Sequence, residues 1–317
     1  MRTWLTAPGS RRFVKVAGVL LVLVAGAFLV RRALALGGAL GTGLADIPPC
    51  ALASAFAVYV LGALLLALAW WRLVGLAAGR ALPARPLLVG HLRAQGAKYL
   101  PGNVFHLAFR HVSARRLGVG HAALALALGL ESLLVITAAA MLGLGMATDP
   151  RVVALAPWAR HLAWLLPILL ALAWWGSGAV ARRTGQPAFR PGRRARGLAV
   201  ALGLYLGMFV LSALSLRLLA ADPDALPLLA WCGWLALAWM IGYVTPGAPA
   251  GLGLREAVLV LGLGPVFGEA GALVLALAYR LISVAADALL ALLGLALRGP
   301  RSPADPPAPD QVAASAR

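Results

Sequence analysis

The chain has 317 residues, of which 62% are hydrophobic and only 12% charged. Soluble globular domains carry about 25% charged residues, so this composition excludes a water-soluble fold. Lys and Arg number 28 against 10 Asp and Glu, a net charge of +18. Nearly all of that positive charge is Arg lying between apolar runs, where it orients a membrane protein and meets anionic headgroups rather than nucleic acid.

A helical span needs roughly 20 apolar residues. Val16 to Val30 is charge-free. The Ser10-Arg11-Arg12-Phe13-Val14-Lys15 stretch before it is close to a twin-arginine export signal, with Ala33-Leu34-Ala35 as a cleavage site. Arg31 and Arg32 follow the run directly and disfavour cleavage, so it reads as an uncleaved first helix. Ile47 to Trp71 is the next span, ending in Trp70-Trp71 as an interfacial belt. Ala122 to Met146 is apolar except for Glu131. Leu162 to Ala181 follows, with a kink expected at Pro167. Gly197 to Leu216, Ala225 to Val244 and Ala270 to Leu297 complete the set. The last is interrupted only by Arg280 and Asp287. No alternation of the barrel type occurs. Cys50 and Cys232 sit in apolar runs, with neither zinc spacing nor a disulfide framework.

Two further apolar segments are broken. Pro86 to Phe109 contains His91, Arg93, Lys98 and Pro101-Gly102. Thr245 to Phe267 contains Pro246-Gly247, Pro249, Gly251, Gly253, Arg255-Glu256 and Gly264-Pro265. Interrupted segments in corresponding halves point to a transporter-type site. The fold class is therefore all-α: a polytopic integral membrane protein with seven to eight transmembrane helices, two broken or re-entrant segments among them. Residues 1–297 form one transmembrane domain. Residues 298–317 form a Pro/Ala-rich tail expected to be disordered.

Residues 1–15, 72–121 and 182–196 hold eighteen Lys and Arg, and the intervening loops hold five. This asymmetry puts the N-terminus and those segments in the cytoplasm. The side of the tail depends on whether the second broken segment crosses or re-enters.

Lys98-Tyr99-Leu100-Pro101-Gly102-Asn103 predicts the start of a helix running to about Arg116, with Pro at a helix start. Asn103, His106, Arg110 and Ser113 share one face of it. A buried helix N-terminus offers N–H groups to a phosphate, and Arg110 offers a bidentate clamp. The alternative is an amphipathic helix resting on anionic lipid, anchored by Arg110, Arg115 and Arg116. Pro246, Gly247, Pro249, Gly251 and Gly253 cannot remain helical, so this stretch lines a cavity or forms an interhelical loop. Arg255 and Glu256 follow it. Glu131, Arg280 and Asp287 lie within spans, where lipid exposure costs about 2.5–3.5 kcal/mol each. Arg280, Ser283 and Asp287 share a face, and Arg280 is expected to pair with Glu131 or Asp287. The pairing serves either helix packing or a headgroup or proton site.

Taken in order, the segments 98–103, Arg110, Glu131, 246–256 and Tyr279-Arg280-Leu281 resemble the flippase-like membrane domain of the lysylphosphatidylglycerol synthetases, the multiple-peptide-resistance family, and its stand-alone relatives. The resemblance runs to about Leu297. It implies about eight membrane segments, translocation of phospholipid and a bacterial inner membrane. The aminoacyl-transferring domain of the full synthetases is missing, so lipid aminoacylation is not implied.

No P-loop, GxSxG elbow or HExxH occurs. The chain is read as a non-enzyme with no cofactor and no metal site. The sequence reading takes Lys98, Tyr99, Pro101, Gly102, Asn103, His106, Arg110, Pro246, Gly247, Pro249, Gly251, Gly253, Arg255 and Glu256 as headgroup-binding candidates, with Glu131, Arg280 and Asp287 as intramembrane charges. The expected partners are anionic lipids and envelope biosynthesis enzymes. Three functions stay open: translocation or binding of an anionic phospholipid or lipid-linked glycan, lipid modification with Glu131 as base, and a non-transporting scaffold.

Overall fold

The computed structural model describes residues 38–98, 105–146, 150, 165–184, 191–245, 251 and 253–297. The expected first helix, Tyr99, Pro101, Gly102, Asn103, Pro246, Gly247, Pro249 and the tail from residue 298 lie outside the described residues. Nine α-helices form among the described residues. They are α1 (Gly38–Ala45), α2 (Pro49–Ala78), α3 (Ala84–Ala97), α4 (Phe105–Arg115) and α5 (His121–Leu144), then α6 (Leu165–Thr184), α7 (Pro191–Arg217), α8 (Leu228–Val244) and α9 (Leu254–Ala296). A short 3₁₀ turn spans Pro223–Ala225.

Four helices, α2, α5, α7 and α9, are long and apolar enough to cross a membrane. The Leu166–Ala179 part of α6 and all of α8 are shorter apolar stretches. Pro167, expected to kink its span, lies within the described helix α6. The long helices leave apolar side chains facing outward: Leu61 on α2, and Leu281, Leu292 and Leu295 on α9, are each more than half exposed. Apolar exposure on this scale suits lipid, not water.

The 43 residues of α9 would make a straight rod of about 65 Å, well beyond a bilayer of about 40–45 Å. The rod is broken at Gly268, whose φ of 71° and ψ of 162° are open essentially to glycine alone. The break separates 254–267 from 269–296 and coincides with the expected boundary between the second broken segment and the last span. The 14-residue arm before it, like α3 with 14 residues, is too short to cross a hydrocarbon core of about 30 Å.

Between apolar helices in lipid, association rests on close packing rather than on escape from water. Small residues supply that approach. The most extensive pairing is α2 with α7, where a Cβ on Gly207 would stand 3.0 Å from Leu65. Gly262 of α9 receives the Trp234 ring, which would lie 2.2 Å from an added Cβ. α3 docks along the second arm of α9: Arg93 Nε donates to the Gly294 carbonyl at 2.6 Å and Nη2 to that of Leu297 at 2.7 Å. These bonds satisfy carbonyls that the helix end leaves open.

Two cores result. One gathers Trp231, Leu235, Leu259, Leu263 and Leu273 around α8 and α9. The other gathers Trp70, Leu73, Leu124, Leu130, Tyr205 and Phe209 around α2, α5 and α7. Trp70 is thus no interfacial belt residue: it is 1% exposed. Its neighbour Trp71 donates Nε1–H to the Leu82 carbonyl at 2.9 Å, at the end of α2.

Candidate functional site

A cavity of about 170 Å³ lies at the seam of the two cores. Phe209 and Met208 of one core and Leu235, Leu259 and Ala276 of the other form its apolar wall. The polar wall takes His91 from the middle of α3 and Lys98 from just past its end, His106 and Arg110 from α4, Arg255 and Glu256 from the second broken segment, and Arg280 and Asp287 from the last span. Glu131 of α5 completes it. The tertiary fold therefore brings the described polar candidates together, although they are scattered over almost two hundred residues of sequence.

The charge pairing differs from the expected one. Glu131 is held by Arg110 rather than Arg280. Nη1 donates to Oε1 and Nη2 to Oε2, both at 2.8 Å. The guanidinium carbon stands 4.3 Å from the centre of the Trp70 ring, so that Trp forms the floor of the pair. The bidentate clamp foreseen for a phosphate is thus occupied by a carboxylate. Asp287 Oδ2 lies 2.6 Å from Lys98 Nζ, joining the end of α3 to α9. Arg280 Nε lies 3.4 Å from Glu256 Oε1. The expected shared face of Arg280, Ser283 and Asp287 does point into the cavity. On α4, His106 and Arg110 line the cavity, whereas Ser113 packs against Gly90 of α3, where an added Cβ would stand 2.6 Å away.

Glu256 does a second thing. Its Oε2 accepts from the Gly253 N–H at 2.7 Å, one half of a capping box. A carboxylate of the chain itself therefore occupies this helix start, where free N–H groups would otherwise meet an anion. Gly251 and Gly253 approach this helix with φ of 69° and 84°, a left-handed conformation that side chains disfavour.

Arg255 is the exception among the cations. The other Lys and Arg side chains lining the cavity each meet a carboxylate. Among the described residues no carboxylate lies within ion-pair distance of Arg255, and its buried Nε has no hydrogen-bond partner. It runs through a slot bounded by Gly242 and Gly251: a Cβ on either would come within 2.9 Å or less of its Nε. Its guanidinium stands 5.7 Å from the Trp239 ring, which stacks on Tyr243 at 4.6 Å. Tyr243 OH shares a 2.8 Å hydrogen bond with Ser132 Oγ of α5.

Sequence reasoning passed over Trp70, Gly242 and His91. A lone His, a Trp at a span end and a Gly in an apolar helix carry no distinguishing pattern. Among the described residues no group of three or more His, Cys, Asp or Glu is placed to hold a metal ion. Cys50 is exposed and Cys232 buried, and neither is bridged.

No protein-family model and no curated protein matches the sequence. The described residues are all-helical, with four helices long and apolar enough to span a membrane among them, and the site stands on its own geometry.

Proposed function

We propose that the chain is a multi-pass membrane protein of seven to eight spans that takes the anionic headgroup of a phospholipid or lipid-linked glycan into this cavity and passes it between leaflets. The observation that carries the reading is Arg255, a cavity-lining guanidinium without a carboxylate partner among the described residues. A buried charge left uncompensated is costly, and an anion that supplies the missing charge relieves that cost. The headgroup would enter the polar wall while its acyl chains stay in lipid. The resemblance to the flippase-like membrane domain favours translocation and a bacterial inner membrane, and the excess of Lys and Arg in residues 1–15, 72–121 and 182–196 argues for a cytoplasmic N-terminus and a cytoplasmic 182–196 segment.

The lipid-modifying alternative has less support. Glu131, the acid it would use as base, has both oxygens engaged by Arg110. The reading therefore takes the chain as a non-enzyme, with anionic lipids as its partners.

Leaflet exchange tests the proposal. The chain is reconstituted into vesicles carrying fluorescent phosphatidylglycerol or phosphatidylcholine, and an impermeant quencher reads the outer leaflet. Exchange of the anionic lipid should exceed that of protein-free vesicles and should fall in Arg255→Gln. Exchange no faster than in protein-free vesicles would remove translocation, and an unaffected variant would remove Arg255 from the site.

A further inference from the structure

His91 lies at the centre of α3 and is only 2% exposed. Its Nδ1 stands 3.4 Å from Arg110 Nη1. A guanidinium has no lone pair to offer and can only donate, so Nδ1 accepts and the single proton of the neutral ring resides on Nε2. Arg110 is held by two bonds to Glu131 and by the face of Trp70, which keeps its Nη1 directed at the ring. The His91 Nε2–H is thereby a buried donor, and it has no acceptor among the described residues. It lines the same cavity as Arg255, whose Nε–H is also buried and without an acceptor among the described residues. Two buried donors in one small cavity bear a desolvation cost that an acceptor-rich ligand would remove.

We infer that His91 is a second headgroup-contacting residue, whose Nε2–H donates to a phosphoryl oxygen of the anion that Arg255 neutralises. A phosphoryl group suits both donors, because several acceptor oxygens surround one centre and one negative charge answers one guanidinium. Glu131 and Arg110 are then positioning residues: they set which nitrogen of His91 carries the proton and touch no ligand. The inference rests on the reading of the cavity as an anion site.

Binding to the purified full chain in detergent is measured with two probes, short-chain phosphatidylglycerol and glycerol 3-phosphate. His91→Leu should weaken the binding by about tenfold or more, the expected effect of losing one hydrogen bond to a charged group. His91→Gln, which keeps an N–H at the end of the side chain, should recover most of it; a merely structural role would show no such rescue. Binding by Arg255→Gln as tight as wild type would overturn the anion-site reading itself. Weakened binding by Arg255→Gln with unchanged binding by His91→Leu would overturn the His91 assignment alone.

Should His91→Leu not fold, ¹⁵N spectra of the histidine-labelled wild-type chain read the ring directly. The expected result is a His91 proton on Nε2 whose signal moves when phosphatidylglycerol is added. A proton on Nδ1, or a signal indifferent to saturating probe, would overturn the assignment. Binding of phosphatidylglycerol alone supports a lipid source for the phosphoryl group. Binding of glycerol 3-phosphate as well supports recognition of the phosphoryl group by itself, and binding of neither overturns the inference.

Discussion

Arg110 and Glu131 stand on different helices, 21 residues apart in sequence, and meet through two parallel 2.8 Å hydrogen bonds with side chains only 4% and 11% exposed. The pair ties α4 to α5, one of the helices long and apolar enough to cross a membrane. Buried pairs of this kind are expensive to break, because removing one member strands the other, yet they often add little over an apolar pair of equal volume.

Stability of the single and double variants should follow that asymmetry. Arg110→Met and Glu131→Gln should each cost about 3–5 kcal/mol. Arg110→Met combined with Glu131→Leu should lie much closer to wild type. Thermal unfolding in detergent measures all three; single variants as stable as wild type would mean the pair is not held in the dry interior.

The docking of α3 against α9 predicts opposite signs for two glycine substitutions. A Cβ on Gly294 would stand 2.7 Å from the backbone N of Arg93, which has no room to yield. Gly294→Ala should therefore destabilise by about 1–3 kcal/mol. Gly203, exposed on α7, has nothing within 4 Å of such a Cβ. Gly203→Ala should be neutral or stabilising by up to about 1 kcal/mol, since alanine is the better helix former. Similar melting shifts for the two would contradict the close contact at Gly294.

Lipid-dependent stabilisation should single out Arg255. A ligand that binds only the folded state stabilises it by about 2.7 kcal/mol at a hundredfold excess over Kd. A charge-assisted contact is worth about 1.5–3 kcal/mol, enough to erase most of that gain. Arg255→Gln should thus lose the shift that phosphatidylglycerol produces over phosphatidylcholine. Arg116→Gln, at an exposed position after α4, should keep it. Surface attraction would make the two variants alike and would fade with salt, whose screening length is about 8 Å at physiological strength.

Orientation is tested at Gly192, which is exposed at the start of α7 with open space around it. In a Cys50→Ser, Cys232→Ala background, Gly192→Cys should resist an impermeant thiol reagent in intact cells and react once the membrane is opened. Labelling from outside in intact cells would reverse the proposed topology.

The helical, membrane-type character of the chain was legible in the sequence because it depends on local information. An apolar run in lipid must satisfy its backbone within itself, so composition and run length are enough to set the element. The second broken segment was legible for the same reason. Gly251, Gly253 and Gly268 adopt positive φ where glycine stands, and α9 indeed breaks next to the expected boundary. The intramembrane charges were likewise marked as inward-facing by the cost of exposing them to lipid.

What only the tertiary structure decided is who meets whom. Arg280 was expected opposite Glu131 or Asp287; the lateral arrangement of helices gives Glu131 to Arg110 and sets Arg280 beside Glu256, a residue not named as its partner. A charge in a span announces that it needs a partner, and nothing in its own segment names the helix that will supply one. The same holds for Trp70, which reads as a belt at a span end until α4 lays a guanidinium on its face. It holds for His91, which meets a guanidinium supplied by another helix. Arg255 became the distinctive cation only once its three neighbours had found carboxylates. That subtraction requires all the partners in one space, and helix packing, not sequence order, brings them there.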